Sequence, residues 1–249
     1  MRKGILYTCQ NWSVRPSYLW KWGSRRHTPQ MAPPKFDPSW EATRYDPAIL
    51  PKLEAHVDAQ CASQSYDLEP NLATLKLYQF HPDKLQVKTV AKILVKALMN
   101  LPDTDYLACT YLIPERILDE EPIKTIVAVA SLLERCSFRE VWEALAPLRK
   151  DVLDAVPGFD AAMRVFVLKT FEITYQSVPN AHLCSSLGFS AGDAAYAKLV
   201  KERGWTVDGD VVKIALNDDN TAKPKRVDAS GTMDFAQMTK ILTSVAQAS

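Results

Sequence analysis

From Tyr45 onward, apolar residues recur every three or four positions in short blocks, each opened by a capping residue or proline and closed by a polar or proline break. Leu50, Leu53, Val57 and Cys61 share one face of a first helix, with Asp46-Pro47 as cap and first-turn proline, and its His56 falls on the polar side. Asp67 is placed to cap a second helix carrying Leu68, Leu72, Leu75 and Tyr78, and His81-Pro82 ends it. A third runs to Leu101 with Val87, Val90, Leu94, Ala97 and Leu98 apolar, and Pro102 stops it. Asp103 suits the cap of a fourth (Tyr106, Cys109, Leu112, Ile113), and Pro122 starts a fifth (Ile123, Ile126, Val127, Ala130, Leu133). Ser137 with Glu140 reads as a capping box for a sixth, which buries Phe138, Val141, Trp142 and Leu145. Six short helices on short connectors predict an α-solenoid, although neither a tetratricopeptide nor a leucine-rich consensus recurs.

After Pro157-Gly158 the pattern changes. A longer helix with Phe159, Met163, Phe166, Val167, Thr170 and Phe171 on one side leads into the outline of a winged helix. Asn180 is placed to cap a helix through Leu187, Gly188 permits a turn, and Ser190 with Asp193 resembles a capping box for the next helix, whose stripe is Tyr196 and Leu199. Arg203 and Gly204 suit its C-terminal end. Trp205 to Val207 and Val211 to Leu216 then read as two strands around Asp208-Gly209, a dipeptide fit for a tight primed turn. Residues 217–231 are polar and read as a linker. Asp234 and Gln237 would cap a last helix whose Phe235, Met238, Ile241, Leu242 and Val245 form a continuous apolar stripe, which must dock on its own chain or on a partner's helices.

With 249 residues and 47% hydrophobic content, the chain can bury one large or two modest domains. Its net charge of +1 is unevenly spread: residues 1–40 hold seven Arg or Lys against Asp37 alone, which puts +6 there and leaves −5 for the remainder. That basic segment, with Trp12, Trp20, Trp22 and Trp40 and no periodicity, reads as a disordered extension; a transit peptide and an alternative start at Met31 are both open readings. Five scattered cysteines (Cys9, Cys61, Cys109, Cys136, Cys184) suit a reducing compartment, and no apolar run has the length of a membrane span.

Candidate chemistry is sparse. The sequence has no glycine-rich phosphate loop, no HExxH and no Cys-x-x-Cys, and His182-x-Cys184 is a single pair. His56 and His81 lack a triad partner, and Glu120-Glu121 and Asp218-Asp219 suit solvated faces, so no catalytic, cofactor or metal site is assigned. A winged helix raises the question of nucleic acid. Its second helix, however, offers Asp193, Lys198, Lys201 and Glu202 without base-reading Asn or Gln forks, and its wing tip carries Asp208 and Asp210 where phosphate would want cations. A protein-docking winged helix is the favoured reading, with a nucleic-acid regulator as the alternative.

The run Tyr66 to Phe80, YDLEPNLATLKLYQF, resembles the signature of the subunit k family of eukaryotic translation initiation factor 3. Lys96-Ala97-Leu98, Asn100-Leu101-Pro102, Leu132-Leu133-Glu134, Ile173-Thr174-Tyr175-Gln176 and Gly204-Trp205 extend the likeness over about Tyr45 to Val227. The resemblance implies a mainly α, PCI-type scaffold: a HEAT-like helical repeat domain (45–156), a winged-helix domain with a small β-hairpin wing (157–216), and a linker with a C-terminal helix (217–249), the PCI module spanning about 66–229. It also implies a cytoplasmic location and, as partners, the other subunits of the factor, subunit l above all, and through them the small ribosomal subunit. Subunits of the proteasome lid and the signalosome share the fold and stand as alternatives. Trp205, Val211 and Ile214 are the candidate contacts on the winged helix, and Phe235, Met238, Ile241, Leu242 and Val245 those for a helical bundle.

Overall fold

Asp46 does what its position before a proline predicts: its carboxylate accepts a hydrogen bond from the Ala48 N–H at 2.9 Å, and a tight turn over Pro47–Ile49 runs straight into the first helix. The computed structural model describes residues 43–190, 192–221 and 235–247; the basic N-terminal segment, the Asp234 cap and most of the polar linker lie outside these described residues.

Six helices form an array: α1 (Leu50–Ser63), α2 (Leu68–Phe80), α3 (Val87–Met99), α4 (Asp105–Thr110), α5 (Ile123–Glu134) and α6 (Phe138–Ala144). They pack as neighbouring pairs, α1 with α2, α3 with α4 and α5 with α6, as a solenoid requires of units that cannot cover both faces alone. α3 is the centre. It touches α1, α5 and the long helix α7 (Phe159–Thr174), and it buries Val90, Ile93, Leu94 and Leu98 together with Thr89 and Lys96. Desolvation lowers the Lys96 pKa, with partial compensation from the nearby Cys61.

Several caps differ from the sequence expectation, and for Asp67 and Asp103 the polar side chain has a better offer elsewhere. Asp67 sits at the N-cap of α2 without a side-chain capping bond; its carboxylate lies 3.6 Å from His56 Nε2, and its own N–H donates to Gln60 Oε1 at 3.0 Å. His56 is therefore a buried residue, not a surface one, because the start of α2 folds over that face of α1. Gln60 and Asn71 complete the polar cluster with reciprocal amide bonds of 3.0 and 3.2 Å. Asp103 shares Asn100 Nδ2 with Asp105, at 3.0 and 2.6 Å, and α4 begins two residues later. Ser137 also makes no side-chain cap, so the predicted Ser137–Glu140 box is not formed.

Behind α7 come β1 (Ser177–Pro179), α8 (Asn180–Ser186), α9 (Ala194–Glu202), β2 (Thr206–Asp208) and β3 (Val211–Lys213), and a separate α10 (Phe235–Gln247) ends the described chain. The strands make one antiparallel sheet in the order β1-β3-β2. β1 has no signal in the sequence beyond Val178, which is buried against the sheet. A single apolar core nevertheless runs from Ile49 to Ile214.

The join between array and winged helix is tightly built. Trp142 Nε1 donates to the Ser186 carbonyl at 2.9 Å, and Arg164 Nε donates to the Leu187 carbonyl at 3.1 Å. The Arg164 guanidinium stacks between rings, 4.3 Å from the Phe189 centroid and 5.4 Å from that of Trp142. Gly188, at φ +67°, lies beneath the indole so closely that a Cβ would stand 2.6 Å from Trp142 Cδ2.

Candidate partner interface

Asp193, not Ser190, caps α9: its carboxylate accepts from the Ala195 N–H at 2.9 Å. Asn180 likewise opens α8 without capping it, because its side-chain oxygen accepts the Tyr196 hydroxyl at 2.5 Å. The hairpin turn is shifted by one residue from the expected Asp208-Gly209. Asp208 pairs with Val211, so Gly209-Asp210 form the loop, and of these only Gly209 has positive φ, at +59°. A glycine at the first central position is what a type II′ turn demands.

The register decides what the sheet can offer a partner. The Asn180 N–H donates to the Asp210 carbonyl and the Ile214 N–H to the Gln176 carbonyl, so residues 210, 212 and 214 direct their backbone polar groups toward β1. Val211 and Lys213 therefore face β2, where they engage Asp208 and Thr206. Val207 alone in β2 turns its N–H and C=O outward. An added strand would find one donor and one acceptor there, a small allowance for main-chain pairing.

Beside that edge lies a groove of about 630 Å³ whose walls include Ala181, Tyr196, Ala197, Val200, Trp205 and Val207. Its Asn180, Cys184, Asp193 and Tyr196 side chains are committed to structure. Burial raises the Tyr196 hydroxyl to about 12 while it holds Asn180, and burial with the nearby Asp193 raises the Cys184 thiol, which donates to the Phe189 and Ser190 carbonyls at 3.3 and 3.4 Å. Neither is poised for acid–base or nucleophilic work. At the wing tip, Lys213 at 2.6 Å holds the Asp208 carboxyl below its ordinary range. Among the described residues no group of His, Cys, Asp and Glu is arranged to hold a metal, and no helix is long and apolar enough to cross a membrane.

The sequence-derived contact residues divide into two sets. Trp205 and Ile214 are 5% and 4% exposed, so they are corrected from contact to core: Trp205 floors the groove beneath α9, and Ile214 continues β3 inward. Val211 is 37% exposed at the start of β3. Phe235, Met238, Ile241, Leu242 and Val245 stand between 45% and 78% exposed along α10, which buries no residue. Val207 was missed, although its place on the outer strand of a hairpin was the available clue. A smaller hollow of about 240 Å³ between α4, α5 and α7, with Leu107 exposed at its mouth, had no periodicity signal at all. The presumed linker begins later than residue 217: Asn220 Nδ2 donates to the Tyr175 and Ala215 carbonyls at 3.3 and 3.0 Å, and Gln176 Nε2 donates to the Asn220 carbonyl at 2.7 Å.

A paired-helix array fused to a winged helix defines a helical scaffold subunit of PCI type. The chain belongs to the CSN8/PSMD8/EIF3K family, whose model matches residues 84–226, and within it to the subunit K group of eukaryotic translation initiation factor 3. Eukaryotic translation initiation factor 3 subunit K of Homo sapiens is 36% identical over 201 residues, which is 81% of this chain and 90% of that protein. The Danio rerio protein of the same name matches to the same extent, and that of Anopheles gambiae is 37% identical over 177 residues, 71% of this chain and 79% of its own.

Proposed function

We propose that this chain is a non-catalytic scaffold subunit of translation initiation factor 3, which supports assembly of the factor on the small ribosomal subunit in the cytoplasm. The observation that carries this reading is the 36% identity to a subunit K over 90% of that protein's length. The helical array of residues 45–156 and the winged helix of 157–216 act as the assembly block in this reading. Its contacts are the Val207–Val211 side of the wing and the exposed stripe of α10, with subunit l as the main neighbour. The carboxylates at the wing tip disfavour the nucleic-acid alternative.

The test is a pull-down of the tagged full chain from ribonuclease-treated cytosolic extract, with mass spectrometry of the bound proteins. The other initiation-factor subunits should be recovered, subunit l most strongly. Replacing Ile241 and Leu242 by Asp should reduce that recovery at least about tenfold, as the loss of two buried interface anchors would. Recovery of proteasome-lid or signalosome subunits instead would overturn the assignment.

A further inference from the structure

α10 presents a problem that its own sequence cannot solve. It has 13 residues with five large apolar side chains on one stripe, all exposed. Isolated helices shorter than about 12–15 residues are marginal in water, so a surface must cover that stripe for the helix to persist. The apolar groove on the winged helix is open as well, with Val207 56% exposed at its rim.

From these features we infer that, in the free subunit, α10 folds back and docks its stripe in the groove between α9 and the β2 edge of its own chain. Two observations on the molecule fit this occupant. The first is reach. The bonds of Asn220 to Tyr175, Gln176 and Ala215 anchor the chain beside the start of β1, and the groove begins at Asn180, only about 13 Å further along that extended strand. Thirteen residues, 222–234, separate the described segments and can span about 43 Å at full extension, so α10 reaches the groove with length to spare. Tethering at that range keeps the helix at an effective concentration of roughly millimolar, so a weak intrinsic fit suffices.

The second is shape. A helix of this length is about 20 Å long and lays residues i, i+3, i+6 and i+7 along one line, which is the spacing of Phe235, Met238, Ile241 and Leu242. The docked helix would cover the Val207 edge and the groove at once, so the free subunit would hide the same two faces that assembly uses. The inference goes beyond the assembly role and concerns the chain on its own.

Hydrogen–deuterium exchange with mass spectrometry on the purified full chain tests it without any other subunit present. In the wild type, α10 amides should exchange at least about tenfold more slowly than those of a free peptide of residues 235–247. Ala197→Arg, which blocks the groove from an exposed position on α9, should bring α10 to the free-peptide rate while the array keeps its protection. Ile241→Asp with Leu242→Asp should in turn speed exchange across residues 194–207. Free-peptide exchange of α10 in the wild type would overturn the proposal. So would protection that survives Ala197→Arg, which would place α10 elsewhere, or protection that appears only as protein concentration rises, which would make the occupant a second copy.

Discussion

α3 and α10 are both 13-residue helices with a pronounced apolar face, and they end in opposite environments. α3 is covered by α1, α4, α5 and α7 until even Thr89 and Lys96 are buried, whereas α10 buries nothing. Amphipathicity prescribes that a face be covered; it does not say by what. For α3 the covering elements stand on both sides of it in the array, α1 before it and α4, α5 and α7 after it, while for α10 the covering surface is either the groove of the winged helix or on another protein. The widest test of that contrast is a matched pair of truncations. Leu94→Ala, at a fully buried position of α3, should cost about 2–5 kcal/mol in chemical denaturation. Leu242→Ala should leave the transition of the body within about 0.5 kcal/mol. Equal costs would show that α10 belongs to the common core.

The join between array and winged helix is a second way to sharpen the comparison, because it explains why the wing, unlike α10, shares the core. Gly188→Ala places a methyl group where Trp142 Cδ2 would be 2.6 Å away, on a backbone with positive φ. Strain in that conformation and overpacking against the ring should together cost about 2–4 kcal/mol. Indole fluorescence and near-ultraviolet dichroism should change with it as Trp142 leaves the Ser186 carbonyl. A loss within about 0.5 kcal/mol, the range of an ordinary surface change, would show that the ring yields freely and that the join is loose.

What could be read from the sequence follows the range over which each signal acts. Helices α1 to α7 were legible because Leu50, Leu53 and Val57, or Phe159, Met163 and Val167, announce a buried face through local spacing alone. Caps were less legible. A capping carboxylate competes with distant partners, and Asp67 is drawn to His56 by a fold-back of α2 that no local pattern encodes. β1 was invisible because three residues containing a proline cannot alternate long enough to be recognised; it exists through its register with β3. The interface was half legible. Exposure of the α10 stripe follows from its isolation in the chain, but Trp205 and Ile214 look the same in sequence as partner anchors and as core residues. Val207 was signalled by its place on the outer strand of the hairpin, and the hydrogen-bond alternation then shows that its N–H and C=O face outward.

The smallest effect concerns a titratable side chain that the array buries and that α10 has no counterpart for. His56 is 8% exposed, and desolvation holds its pKa below the ordinary 6.5 against an opposing pull from Asp67. In the folded chain the imidazole is thus neutral at a pH where the unfolded chain already binds a proton. Stability therefore falls as pH drops through 6.5 toward the lowered folded value, and His56 contributes no slope above that window. His56→Gln removes the titration while keeping a polar side chain beside Asp67. Thermal unfolding of the wild type should lose a few degrees more than this variant between about pH 7.5 and about pH 5.5, the interval in which histidine titrates. A smaller acid loss in the wild type than in His56→Gln would mean that Asp67 outweighs burial and stabilises the imidazolium, and α1 would then be held to α2 by an ion pair instead of a neutral contact.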